Sequence, residues 1–82
     1  MKIMLKPGRG ETFRRTVRDT DGNELRVLEF FQRRPTDIDD AQDLAAIRDD
    51  LGISLVVAKE TNVVQWEIDE EATSRAAAGE AA

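Results

Sequence analysis

The run Glu11-Thr12-Phe13-Arg14-Arg15-Thr16-Val17-Arg18, the connector Asp19-Thr20-Asp21-Gly22-Asn23-Glu24 and the run Leu25-Arg26-Val27-Leu28-Glu29-Phe30-Phe31-Gln32 decide the fold of this chain. Both runs are rich in Thr, Val and Phe, which suit a pleated, half-buried surface, and Asp-Gly between such runs is a strong hairpin signal. A three-residue loop, Asp21-Gly22-Asn23, pairs Val17 with Val27, Arg15 with Glu29 and Phe13 with Phe31, which sets four apolar side chains and one cross-strand ion pair on one face. A two-residue turn at Asp21-Gly22 opposes Val17 to Arg26 instead, so the three-residue register is the expected one. The other face then carries Arg14, Thr16 and Arg18 beside Arg26, Leu28 and Phe30, and Leu28 and Phe30 need a second cover, from this chain or from another subunit.

Beyond the hairpin, Pro35 removes a donor and pushes Arg34 toward extended geometry, which ends the strand. Asp39-Asp40-Ala41-Gln42 reads as a helix N-cap with an acidic first turn that suits the helix dipole. Ala41, Leu44, Ala45, Ile47 and Leu51 recur at spacings of three and four, and Gly52 stands where a left-handed C-cap glycine belongs, which predicts a helix from Asp40 to Leu51. Ile53–Lys59 and Val63–Ile68 are β-branched runs around Glu60-Thr61-Asn62 and predict a second hairpin, with Ile53, Leu55 and Val57 on one face and Val64, Trp66 and Ile68 on another. From Glu70 onward the chain has six Ala and no large apolar residue, so it has little to bury. The expectation is a single α+β domain over residues 11–69, a small, mainly antiparallel sheet of two hairpins with one helix packed on it (ββαββ). An N-terminal arm (1–10), able to add an edge strand at Lys2–Leu5, and a mobile Ala-rich tail (70–82) flank it.

Composition narrows the chemistry. The 82 residues include no His, Cys or Tyr, which removes the imidazole base, the thiolate nucleophile, the Ser-His-Asp triad and the ordinary zinc site. No catalytic residue, cofactor or metal ligand is therefore expected. A core this small rarely yields more than about 3–5 kcal/mol without staples or self-association, and the staples are absent. The longest apolar run, Ile53–Ala58, is interrupted by Ser54 and too short for a membrane span, and Lys2 is followed by only Ile3-Met4-Leu5 where a secretory signal needs a longer apolar stretch. A cytoplasmic protein is the expectation. Charge is segregated: residues 1–35 sum to +4 and residues 36–82 to −9, giving −5 overall. Two solvated faces of one domain account for this, and so does a bipolar molecule suited to head-to-tail contact with itself or with an oppositely charged partner.

Several motifs have bland and sharp readings. Asp19–Glu24 holds three carboxylates and Asp-Gly, but Gly22 falls at the fourth position where a calcium loop needs Gly at the sixth, so a hairpin turn is the better account. Asp37, Asp39, Asp40 and Asp43 surround a helix start and suit ionised caps, with partner contact as the alternative. Arg14, Arg15, Arg18, Arg26, Arg33 and Arg34 form the candidate binding patch, facing an acidic protein surface or a copy of this chain. Nucleic acid is not the expected partner, because aromatic interleaving is thin and the chain is acidic. Trp66 is expected to be a packing residue, and Pro7-Gly8-Arg9-Gly10 lacks the Gly-Lys-Ser/Thr of a phosphate-cradling loop.

The order of Pro35, Ile38-Asp39, Leu44-Ala45-Ala46-Ile47 and Gly52-Ile53 after a β-hairpin resembles a pattern in small bacteriophage and prophage virion-module proteins, over residues 31–55. The resemblance implies a non-enzymatic structural or assembly role and transfers no functional residues. Taken together, the expected function is a non-catalytic protein-interaction module, a small phage virion or assembly component acting as a homo-oligomer. Its expected interaction residues are Arg14, Arg18, Arg26, Leu28, Phe30, Arg33, Arg34, Asp37, Asp40 and Asp43. The alternative is a small inhibitor or regulator that binds a host or partner protein through its acidic half.

Overall fold

Two continuous apolar runs, Ile3-Met4-Leu5 and Leu55-Val56-Val57-Ala58, form the middle of the structure because a strand covered on both faces needs apolar residues at consecutive positions. The computed structural model describes residues 1–61 and 65–79. Its elements are β1 (Lys2–Leu5), β2 (Thr12–Arg18), β3 (Glu24–Phe31), β4 (Thr36–Asp37), α1 (Ala41–Ile47) continued by a 3-10 turn (Arg48–Asp50), β5 (Leu55–Glu60), β6 (Trp66–Ile68) and α2 (Glu70–Ala77). They make an α+β fold of two antiparallel sheets, one four-stranded in the order β4-β1-β5-β6 and one two-stranded, β2-β3, with two helices.

The architecture departs from ββαββ with one helix in three places. The expected arm holds β1, which pairs Ile3 with Val57 and Leu5 with Leu55 on one side and Lys2 with Asp37 on the other, so it lies inside the sheet and not at its edge. The helix closes at Ile47 and tightens into the 3-10 turn, and Leu51–Ser54 form a further turn in which Gly52, at φ +86°, donates its N–H to the Leu55 carbonyl. As a result Ile53 is exposed and the strand starts at Leu55, not Ile53. The expected tail begins with α2, whose N-cap Asp69 accepts from the Ala72 N–H. The expected strand positions Val63 and Val64, with Asn62, and the tail residues 80–82 lie outside the described residues.

The hairpin exists but its register does not follow the expected loop. Phe13 pairs with Phe30, Arg15 with Leu28 and Val17 with Arg26, and a bulge at Val17/Arg18 lets Arg18 pair with Glu24. The loop spans Asp19–Asn23: Asp19 and Asn23 bond through Asp19 N–H to Asn23 C=O, and the Asp19 carboxylate accepts from the N–H groups of Asp21 and Asn23, both at 2.9 Å. Slipping the pairing by one residue turns the other face of β3 inward. Phe30, Leu28 and Val17 therefore join Ile3, Leu5, Ile47, Leu55 and Val57 in the main core, over which the hairpin, α1 and α2 close. Met4, Val56 and Ala58 form a second cluster on the opposite sheet face, with Trp66 and Ile68 packed on it.

α2 replaces β6 along the outer edge of β5. Asp69 N–H donates to Val57 C=O, while Val57 N–H donates to the Thr73 hydroxyl at 2.8 Å and that hydroxyl donates to Asp69 C=O at 2.7 Å. Thr73 is buried, so its side chain satisfies a strand group that has no other partner. From the far end, Arg48 donates to the carbonyls of Ala77 and Ala78 and caps the helix. Gly79 follows at φ +81°, where a Cβ would collide with the Arg48 guanidinium. Ala72, Ala76 and Ala77 lie against the core, and their small side chains let the helix approach.

Thr73→Val keeps the shape but leaves the Val57 N–H unsatisfied, so it is expected to cost about 1–3 kcal/mol in urea unfolding, whereas Thr73→Ser should lose far less. Equal midpoints for Thr73→Val and the parent chain would show that the hydroxyl does not hold α2 to β5.

Candidate functional site

The hairpin's two faces follow from the register. Phe13, Val17, Leu28 and Phe30 face inward, and Phe30 is 0% exposed, its ring centroid 6.3 Å from that of Phe13. Leu28 and Phe30 were expected to need a second cover, from this chain or from another subunit; this chain supplies it, and they are core residues. The face left to solvent carries Thr12, Arg14 and Thr16 opposite Phe31, Glu29 and Val27, with Leu25 at the bulge. Val27 is 49% exposed and Leu25 45%. Side chains alternate along the hairpin as expected, but the Asp19–Asn23 loop and the bulge reverse which face of β3 is buried.

The charges that the sequence segregates meet inside the monomer. Arg26, on the inward face of β3, donates from Nε to Asp43 Oδ1 at 2.7 Å and places Nη2 2.6 Å from the same oxygen and 3.5 Å from Asp40 Oδ1. Arg15 grips Asp50 with two hydrogen bonds, at 3.0 and 2.7 Å, and lies over the Phe13 ring. Lys2 donates to Asp37 at 3.1 Å, and the Met1 amine to Asp39 at 2.6 Å and Asp37 at 3.3 Å. Asp40 also caps α1, accepting from the N–H groups of Gln42 and Asp43. Hydrogen bonding to Asp43 raises the Arg26 guanidinium above its ordinary value, the hydrogen bond from Lys2 lowers the Asp37 carboxyl, and Asp39 raises the amine.

The ten expected interaction residues therefore separate. Leu28 and Phe30 lie in the core, and Asp43 is buried under Arg26. Arg26, Asp37 and Asp40 join the hairpin and β1 to the segment that starts α1. Arg14 pairs with Glu29 across the outer hairpin face at 2.7 Å, and Arg18 donates to the Gly22 carbonyl. Arg33 and Arg34 remain in the β3–β4 loop, with Arg34 stacked 4.1 Å from the Phe31 ring and Arg33 at φ +59°. Among the described residues, neither forms an ion pair. Sequence reasoning missed Val27 and Leu25 as exposed apolar residues, and the signal that could have found them was the even spacing of Arg26, Leu28 and Phe30, whose charged member has carboxylates to meet beyond the hairpin.

The Asp19–Glu24 segment spends its first carboxylate on the turn, and among the described residues no group of three or more acidic side chains could hold a metal ion. Among the same residues no helix is long and apolar enough to cross a membrane. What remains is a solvated hairpin face with an apolar row, and two arginines at the end of the hairpin.

Because the folded Asp37 carboxyl lies below its ordinary value of 3.8, the stability it adds is present above that value and is lost as the pH falls through the lowered one. Asp37→Asn should flatten the acid limb of a plot of urea midpoint against pH and lower the midpoint at neutral pH. High salt should reduce the difference, since the pair is exposed. An acid limb unchanged in Asp37→Asn would remove the Lys2–Asp37 contact from the account. Comparison with known proteins found no matching family model, no matching curated protein and no matching solved structure.

Proposed function

We propose that the protein is a non-catalytic protein-interaction module that self-associates through the outer face of the β2–β3 hairpin. The observation that carries this reading is the row formed by Leu25, Val27 and Phe31 on the side of the hairpin turned from the core. On the same face Arg14 and Glu29 pair with each other at 2.7 Å, so that pair adds no net charge for a second copy to repel. A core of this size, in a chain with no cysteine to staple it, gains stability from burying such a row. The order of turn and cap residues over 31–55, which resembles that of small phage virion-module proteins, makes particle assembly the setting we propose, in the host cytoplasm or the virion.

The acidic half is the weaker binding surface. Asp37, Asp40 and Asp43 already face Lys2 and Arg26 within the chain, so a partner would have to displace those cations first. An inhibitor or regulator that docks through these carboxylates therefore has no separate observation in its favour.

Light scattering coupled to size exclusion tests the reading. The parent chain should elute as a defined oligomer at low and at high salt, because the contact is mainly apolar, and Val27→Asp and Leu25→Asp should run as monomers with unchanged circular dichroism. A parent chain that is monomeric in both salts at high protein concentration would refute self-association, and an oligomer indifferent to both substitutions would place the contact elsewhere.

A further inference from the structure

At the end of the sheet, the loop after β1 and the loop after β3 are tied by Gln32, whose side-chain amide donates to the Gly10 carbonyl. Under this tie lies a cleft of about 300 Å³, within the size range of small-molecule sites. Met4, Pro7, Ile68 and the half-buried Trp66 line it together with the exposed Gln32 and Arg33. Arg33 is the one residue other than glycine at positive φ among the described residues, in the left-handed region that favours Gly, Asn or Asp. The fold obtains no ion pair from it among those residues, and the same holds for Arg9 in the facing loop. Arg34, its neighbour, is turned away onto Phe31. An arginine held in a strained backbone at the mouth of an aromatic-walled cleft, with its charge unspent, is the arrangement that a ligand explains and packing does not.

We propose that this cleft binds a small planar organic anion of mononucleotide size, its ring against Trp66 and its phosphate or carboxylate on Arg33. The ring face of tryptophan accepts any flat π-system, and the guanidinium fork matches either anion with two parallel hydrogen bonds. A polymer is disfavoured by the chain's net charge of −5 and by Glu60, which pairs directly across from Trp66. The cleft is separate from the outer hairpin face, so the two proposals stand or fall independently.

Trp66 is the sole tryptophan, so the fluorescence of the full chain reports on the cleft alone. Adenosine monophosphate should quench or shift it saturably, and benzoate should do the same more weakly. Adenosine and inorganic phosphate, each lacking half of the recognition, should bind at least about tenfold more weakly than the nucleotide. Arg33→Gly is the decisive variant, since it removes the cation and the strain together: the thermal midpoint should rise while nucleotide affinity falls about tenfold or more. Arg33→Asn, which tolerates the left-handed region, should lose affinity equally and serves if the glycine variant folds poorly. No response of Trp66 to millimolar nucleotide, or parental affinity in both variants, would overturn the site. A short single-stranded oligonucleotide binding far more tightly than the mononucleotide would overturn the ligand class in favour of a strand-binding groove.

Discussion

The pairing of Phe13 with Phe30 and of Val17 with Arg26 is the constraint on which the rest of the molecule depends. In a hairpin with one face against a core, side chains alternate with period two, so the register chooses which half of β3 is buried. The observed choice sends Arg26, Leu28 and Phe30 inward. The alternative would send Val27, Glu29 and Phe31 inward and set a carboxylate over the core. Inside the hairpin, Leu28 and Phe30 supply the apolar mass, and Arg26 and Arg15 sit where carboxylates of the following helix and turn can reach them. A bulge at Val17/Arg18 and a loop held by the Asp19 side chain make the register possible. Once it is set, the basic first third of the chain is docked on the acidic segment that begins α1.

This gives the segregated charge a structural meaning. A bipolar sequence suggests contact between molecules, but here the two signs meet within one, through Arg26 with Asp40 and Asp43, Arg15 with Asp50 and Lys2 with Asp37. The cation of each pair keeps 40–46% of its side chain in solvent, so each contributes little, and their value is in choosing one arrangement of hairpin, strand and helix over others. Outside these pairs lie the row along the outer hairpin face and, in the β3–β4 loop, Arg33, which lines the same cleft as Trp66.

Several parts of this fold could be read from the residues. The hairpin, the acidic N-cap of α1, the left-handed backbone at Gly52 and the antiparallel partnership of the last two strands follow from local patterns, although Gly52 closes a turn beyond the 3-10 segment and not α1 itself, and Ala41 and Ala45 of the expected stripe are exposed. The register could not be read from Asp-Gly alone, because the bulge adds a residue to β3 and the carboxylates that settle the matter lie at positions 40, 43 and 50. β1 was hidden by its brevity: four residues carry no period, and only their burial on both faces reveals a central strand. α2 was hidden by composition, since its attachment rests on one threonine hydroxyl and an arginine from another element, neither of which stands out in an Ala-rich run. Of the interaction residues, Arg33 and Arg34 were read as part of one basic patch with arginines that the fold pairs elsewhere, and Leu28 and Phe30 were placed on the outer side by the one-residue slip.

The account rests most directly on the hairpin register, and through-space proton contacts in a nuclear magnetic resonance spectrum of the intact chain measure it without perturbing the sequence. Cross-strand contacts between the backbones of Arg15 and Leu28 and between the rings of Phe13 and Phe30 are expected, with the Val27 methyl groups free of contacts to the core. Contacts of Arg15 with Glu29 and of Phe13 with Phe31 would contradict the account, returning Leu28 and Phe30 to the surface and removing the outer row on which the proposed self-association stands.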